Sequence, residues 1–143
     1  MPATFIGDLK LQAFGDASIA PVTSPASTVT GSSIDMQLSD GSVNAIVIVG
    51  AGTTASSATL AVKIQESTDN STWTDLKILS TLTSTSATGT GITGLTHSGK
   101  ILRAGRYLRA VATVGGSPAT LPLSVLILGS KKIAGDGNGA LVS

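Results

Sequence analysis

Alternating apolar and polar residues run along much of the chain and predict β-strands. In residues 34–38 and 58–66 the apolar side chains recur at every second position, which is typical of a strand with one buried face. Residues 43–49 and 121–128 are instead apolar at most positions and rich in β-branched side chains. Because they are short and bounded by Gly or Pro, such runs favour central strands over buried helix turns. The pattern therefore predicts two half-buried strands and two central strands.

Further strands, and the turns between them, indicate an all-β fold. The additional strands are predicted near residues 9–14, at 73–79 and at 106–114. Polar turns at 67–72 and 115–118 join neighbouring strands as hairpins. No window has the apolar spacing of an amphipathic helix without Ser, Thr or Gly interrupting it. We expect an antiparallel β-sandwich, jelly-roll-like, with extended terminal segments.

Composition divides the chain into three parts. Residues 1–32 are predicted to hold an N-terminal strand and an extended segment rich in Pro, Ser and Thr, and residues 33–130 the sandwich core. Residues 131–143 form a Gly-rich arm that ends in apolar Leu141 and Val142. This arm is either a disordered tail or a segment that docks on a neighbouring subunit through these two side chains.

Composition also narrows the possible functions. Only 12% of the residues are charged and the net charge is +1, which argues against a nucleic-acid-binding surface. The chain contains 19 Ser and 19 Thr but no Cys and one His, which excludes thiol chemistry, cysteine zinc sites and His-rich metal sites. No signal peptide is visible, and the longest apolar runs are far too short to span a membrane. We expect a soluble domain that is not an enzyme and needs no cofactor or metal.

Three local patterns invite a chemical interpretation. Residues 45–55 match the spacing of a dinucleotide-binding glycine motif, but they continue as a turn and a strand instead of the helix that binds phosphate. Asp69 and Asp75 flank a turn, where weak calcium binding is conceivable, although their spacing matches no calcium loop. His97 lies alone between glycines. The simpler interpretations are a hairpin loop, a polar turn and a solvated histidine.

The most distinctive cluster of charge lies around Tyr107. Arg103, Arg106 and Arg109 make up one third of the basic residues of the chain. The alternation of a strand places Arg109 on one face with Tyr107 and Val111, and Arg106 on the other with Leu108. The cluster is either a solvated strand end or an anchor for a protein contact, because Arg and Tyr are enriched at interfaces. Three positive charges are too few for strong nucleic-acid binding.

Three motifs occur together in the predicted sandwich core. A strand ends in KIQES at 63–67, a polar turn leads into TWT at 72–74, and the strand GRYLR at 105–109 is followed by a Gly-Ser-Pro hairpin. In this combination residues 33–130 resemble the small cement, or decoration, proteins that coat the capsids of tailed bacteriophages. The resemblance implies a β-sandwich or jelly roll that sits as a dimer or trimer on the major capsid protein and reaches across subunits with terminal arms.

The function implied by this resemblance is structural. We expect a virion protein on the capsid surface, made in the host cytoplasm, that bridges neighbouring major capsid subunits without contacting nucleic acid directly or a membrane. The candidate interface residues are Arg103, Arg106, Tyr107, Arg109, Leu141 and Val142. Two alternatives stay open. One is a host-recognition module of a tail or fibre that binds glycan, and the other is a jelly-roll protein that forms a capsid itself.

Overall fold

All regular elements in the described part of the chain are β-strands. The computed structural model describes residues 13–22, 28–49, 59–83, 94–97, 100–115 and 121–131. The strands are β1 (Ala13–Val22), β2 (Thr28–Thr30), β3 (Ile34–Asp35), β4 (Ser39–Val49), β5 (Thr59–Ser67), β6 (Thr74–Thr83), β7 (Gly94–His97), β8 (Ile101–Leu102), β9 (Tyr107–Gly115) and β10 (Leu123–Lys131). The described residues include no helix long and apolar enough to cross a membrane.

The strands form two antiparallel sheets. Sheet A has the order β1-β10-β4-β7, and β8 also pairs with β4. Sheet B has the order β2-β9-β5-β6, and β3 also pairs with β9. Each sheet thus interleaves strands from the beginning and the end of the chain, as the two Greek keys of a jelly roll do. The predicted antiparallel sandwich is confirmed.

The hydrophobic core lies between the two sheets and follows the alternation of the sequence. Leu60, Val62 and Ile64 of β5 are fully buried, as their spacing predicts. The inward positions of the neighbouring strands complete the core with Val43, Ala45, Val47, Leu108, Ala110, Ala112, Val125 and Ile127. Successive side chains of a strand point to opposite sides. These buried positions therefore define which side chains each sheet presents on its outer face.

The N-terminal region differs from the expectation of an extended surface segment. β1 begins at Ala13, within the strand predicted near residues 9–14, and extends to Val22 through Pro21; residues 9–12 lie outside the described residues. Proline is tolerated there because β1 is an edge strand of sheet A, where a backbone N–H can be missing. The pairing of β1 with β10 also shifts in register between Ala17 and Ile19. Such a shift breaks the period-2 pattern, so alternation alone does not reveal the full strand.

Candidate interaction surfaces

Sheet B presents a polar outer face to which three neighbouring strands contribute. Gln65 of β5 lies directly opposite Arg109 of β9 and opposite Asp75 of β6. Residues that face each other in this way point to the same side of a sheet. Lys63 lies two residues before Gln65 on β5, and Tyr107 lies two residues before Arg109 on β9, so both side chains point to that side as well. We call this surface the polar face; it comprises Asp35, Lys63, Gln65, Trp73, Asp75, Arg106, Tyr107 and Arg109.

Hydrogen bonds connect side chains across the polar face. Arg109 Nε donates to Gln65 Oε1 at 2.9 Å, and Gln65 Nε2 donates to Asp75 Oδ1 at 2.7 Å. Lys63 Nζ donates to Asp75 Oδ2 at 2.9 Å. The hydrogen bonds from Gln65 and then Lys63 lower the pKa of Asp75 below its ordinary value. The Asp75 carboxylate is therefore charged at neutral pH, and the row of side chains is ordered across β9, β5 and β6.

Trp73 adds an aromatic ring to the polar face, beside Arg109. The guanidinium carbon of Arg109 lies 4.1 Å from the centroid of the Trp73 ring, within the range of a cation–π contact. The turn between β5 and β6 positions this ring. Asp69 Oδ1 accepts hydrogen bonds from the backbone N–H groups of Ser71 and Thr72 at 2.9 and 2.8 Å. These two bonds also hold the pKa of Asp69 well below its ordinary value, and the bond from Thr72 has the larger effect.

Arg106 and Tyr107 extend the polar face toward β3. Arg106 donates from Nε and Nη2 to the two carboxylate oxygens of Asp35, at 2.9 and 2.5 Å. This bidentate pair, with a further bond from the backbone N–H of Gln37, lowers the pKa of Asp35 to about 2. The Arg106 guanidinium carbon also lies 5.1 Å from the centroid of the Tyr107 ring. Arg106 and Asp35 are exposed, so a partner can reach this pair.

Arg103 has a different environment from the other two arginines. Its guanidinium donates to three backbone carbonyls, those of Met36 at 2.7 Å, Ser39 at 2.9 Å and Gly105 at 2.6 Å. The side chain is half-buried, and its buried Nε has no hydrogen-bond partner among the described residues. Arg103 therefore fastens the turn that follows β3 to the bend that precedes β9.

The predicted interface residues thus fall into three groups. Three lie on the polar face: Arg106, Tyr107 and Arg109. Arg103 serves the fold through the three carbonyls described above. Leu141 and Val142 lie outside the described residues. Contact with a partner stays a prediction for all six.

The partners of Arg109 do not follow from the sequence analysis. Its contacts with Gln65 and Trp73 depend on β5 lying between β9 and β6, and alternation does not give the order of strands. One signal was available. The hairpin turn at 67–72 brings the two strands that it joins side by side, which could have placed Gln65 near Asp75.

Sheet A presents an outer face of the opposite character. Large apolar side chains point outward from β4, β8 and β10; we call this surface the apolar face, and it comprises Ile46, Ile48, Leu102, Leu126 and Leu128. The uncharged polar residues Ser42, Asn44 and Ser124 point to the same side. Ile48 is 42% exposed, Leu128 37% and Leu102 69%. None of the side chains described on this face is charged. The runs 43–49 and 121–128 are the central strands β4 and β10 of sheet A, as predicted, but in this two-layer fold only their inward sides are covered by the other sheet.

An apolar groove opens at one end of the apolar face. Its volume is about 460 Å³, and it is lined by Ala17, Pro21, Val22, Ile48, Pro122, Leu123, Ser124 and Leu126. The groove lies where β1 departs from regular pairing with β10. The outer surface of sheet A is therefore both apolar and indented.

The other motifs of the sequence have structural roles where the structure describes them. Asp69 and Asp75 accept hydrogen bonds from the turn and from the polar face, respectively. Among the described residues no three His, Asp or Glu side chains are grouped as metal ligands. His97 ends β7 opposite Ile46, and the glycines of the 45–55 motif lie outside the described residues.

Comparisons with known proteins show the fold. No protein-family model matches the chain, and no curated protein matches its sequence. The PBSX exported protein XepA has a similar structure, with a TM-score of 0.54 and 11% identity, over 91% of this chain and 43% of XepA. This chain thus spans less than half the length of XepA. The VP2 subviral particle of infectious bursal disease virus gives a TM-score of 0.46 at 14% identity, over 92% of this chain and 35% of that one. The SPBc2 prophage-derived protein YomS gives a TM-score of 0.40 at 10% identity, over 81% of this chain and 92% of YomS.

Proposed function

We propose that this protein is a structural component of a bacteriophage virion that binds the major capsid protein at the capsid surface. The observation that carries the proposal is the polar face, which brings Trp73, Arg106, Tyr107 and Arg109 together on one side of the sandwich. Trp, Tyr and Arg are the residue types that dominate the energetics of protein contacts. The resemblance of residues 33–130 to capsid cement proteins supports the proposal, as does the fold shared with the phage-derived protein XepA.

The polar face is ordered before a partner arrives. Arg109 is held by Gln65 and Trp73, and Arg106 is held by Asp35. Immobilising a long side chain on binding costs about 0.5–1.5 kcal/mol, and this cost is smaller where the side chain is already held. Within the described residues Arg109 forms hydrogen bonds only through Nε. Its Nη1 and Nη2 groups would donate to carbonyl or carboxylate oxygens of a capsid subunit.

In this proposal the protein acts by binding, without catalysis. Bridging two capsid subunits requires at least two contact surfaces in each attached unit, which a homo-oligomer supplies because it carries several polar faces. The arm that ends in Leu141 and Val142 would add a second contact. Deleting residues 133–143 should then weaken attachment to shells and leave the melting temperature of the isolated protein unchanged.

Sedimentation of particles from the native source tests the proposed location. We expect the protein to co-sediment with capsids at a copy number close to that of the major capsid protein. A few copies per particle would instead place it in a tail or fibre. Absence from particles altogether would refute a virion role.

Substitutions on the polar face test the proposed contact. Trp73→Ala should weaken binding to capsids that lack the protein by about 30-fold, the size expected when a hot-spot side chain of about 2 kcal/mol is removed. Arg109→Gln should weaken it as well. Lys100→Gln is the control, because it removes a positive charge from an exposed position outside the polar face. Equal binding by all three variants would refute the polar face as the contact.

The polar face also supports a second candidate, a glycan-binding module of a phage tail or fibre. Trp73 and Tyr107 on a polar sheet face are the observation that favours it, because aromatic rings bordered by hydrogen-bonding groups suit sugar ligands. Binding of host polysaccharide that is lost in Trp73→Ala, together with a few copies per particle, would favour this candidate over the capsid.

A further inference from the structure

The apolar face is an unusual surface for a protein that stays a monomer. Three of the five large apolar side chains that are exposed among the described residues lie on it, namely Ile48, Leu102 and Leu128. Ile46 and Leu126 lie between Ile48 and Leu128 on the same side and are half-buried, whereas Ser42 and exposed Asn44 separate Leu102 from Ile46. Monomeric proteins rarely expose contiguous apolar patches larger than a few hundred Å². A surface of this kind calls for a partner that covers it.

We propose that the apolar face packs against the same face of a second copy of this chain. Sheet A is four strands wide, and β10 is 9 residues long. With strands about 4.8 Å apart and about 3.3 Å per residue, the whole outer side of sheet A, its polar positions included, measures at most about 19 by 30 Å, or roughly 570 Å². Full contact between two copies would bury up to about 1,100 Å², close to the ~1,000 Å² expected of a biological interface.

The charge pattern also favours a second copy. In a two-fold symmetric contact each side chain meets the same surface patch of the other subunit, so like charges would face each other. The apolar face avoids this repulsion, because none of its described side chains is charged. Apolar sheet faces stack about 10 Å apart by interdigitating their side chains. The contact would therefore repeat, between two copies, the packing found inside the sandwich.

This dimer supplies the homo-oligomer that the proposed function calls for and does not itself depend on a capsid. Because the two copies meet through sheet A, their polar faces point in opposite directions, away from the contact. Each polar face is then available to a different capsid subunit. The geometry suits a bridge between neighbours better than two contacts with one subunit.

Analytical ultracentrifugation of the full chain over a range of concentrations tests the inference. Ile48→Lys and Leu102→Lys place a charge on the apolar face at positions that are exposed in one copy, so the fold should tolerate them. Ile78→Lys is the matched control, because Ile78 is as exposed as Leu102, at 69%, but belongs to β6 of sheet B. Circular dichroism and thermal unfolding verify that each variant is folded.

We expect the unmodified chain to form a dimer and the two apolar-face variants to raise its dissociation constant about 30-fold or more. Ile78→Lys should leave the constant unchanged. A monomeric or trimeric unmodified chain would overturn the inference, as would a dimer that Ile48→Lys does not weaken. Loss of capsid binding by Ile48→Lys with an intact dimer would assign the face to the capsid instead. If the polar-face variants Trp73→Ala and Arg109→Gln bind capsids as tightly as the unmodified chain while the dimer is intact, that result would count against the proposed function and not against the dimer.

Discussion

Arg103 is expected to contribute more to the stability of the fold than its half-buried position suggests. Its guanidinium reaches the carbonyls of Met36 and Ser39, which lie 67 and 64 residues away in the sequence, and that of Gly105. Arg103→Ala removes all of these donors at once. The Met36 carbonyl would keep the hydrogen bond from the Ser39 backbone N–H at 2.9 Å, but the bonds from the guanidinium to all three carbonyls would be lost. The contact between the turn after β3 and the bend before β9 should weaken accordingly.

The expected loss can be sized from these bonds. A hydrogen bond from a charged donor contributes about 1.5–3 kcal/mol net, and three bonds to one cation are not additive. Water recovers part of the loss because the side chain is only half-buried. We expect Arg103→Ala to lower the free energy of unfolding by about 3–5 kcal/mol. At about 3 °C per kcal/mol for a domain of this size, the melting temperature should fall by roughly 10–15 °C.

Thermal and urea unfolding followed by circular dichroism measure this effect. Arg106→Ala is the control, because Arg106 also makes two hydrogen bonds but makes them to exposed Asp35, and exposed ion pairs contribute little. Arg103→Lys should recover part of the stability, since it keeps the charge but lacks the planar fork that spans several carbonyls. If Arg103→Ala melts within a few degrees of Arg106→Ala, the three carbonyl bonds do not stabilise the fold as argued.

Two further predictions concern pH and close packing. Asp35 has a folded-state pKa of about 2 against an ordinary value of 3.8, so its stabilising effect is present above about pH 4 and is lost as the pH falls to 2. Asp35→Asn should therefore lower the melting temperature more at pH 7 than at pH 2, where about half of the Asp35 carboxyls are protonated in the folded state; an equal difference at both values would contradict this. An added Cβ at Gly31 would lie 2.5 Å from the carbonyl oxygen of Ser18, so Gly31→Ala should cost about 1–3 kcal/mol in urea unfolding. Gly115→Ala should cost less, because its close neighbour is the Thr59 hydroxyl, which can rotate.

Part of the local fold follows from the sequence, and the long-range part does not. The predicted hairpin through 115–118 is wrong, because β9 belongs to sheet B and β10 to sheet A. The alternation in 58–66 predicts the buried side of β5, and the apolar run 121–128 predicts that β10 is central, which the sheet order confirms. The order itself joins strands from opposite ends of the chain, such as β1 with β10. Period-2 patterns report which side of a strand is buried but not which strand lies beside it. The order of the strands in the two sheets therefore cannot be predicted from the alternation pattern and is known only from the structure.

The candidate surfaces were predictable to a similar extent. Alternation correctly places Arg109 and Tyr107 on one face of β9, opposite Gln65 and Ser67. It wrongly places Arg106 with buried Leu108, because Arg106 precedes β9 and pairs with Asp35 beside Tyr107. It cannot predict that Arg103 serves the fold, because the carbonyls that this side chain binds belong to a distant turn. The sequence of an apolar strand also does not distinguish a strand that is covered on both sides within the subunit from one whose outer side is exposed. The exposed side of β4 and β10 could thus be recognised only once the two layers were known.

The contrast between the two outer faces leads to a prediction about salt. Contacts through the polar face would involve exposed charges, whose interactions are screened over about 8 Å at 0.15 M salt and about 3 Å at 1 M. Contacts through the apolar face rely on burial of uncharged surface, which salt does not screen. Raising NaCl to 1 M should therefore weaken capsid binding and leave the dimer intact. Co-sedimentation and analytical ultracentrifugation at matched salt concentrations measure the two effects. A dimer that dissociates in 1 M NaCl while capsid binding persists would mean that the two faces have exchanged their proposed roles.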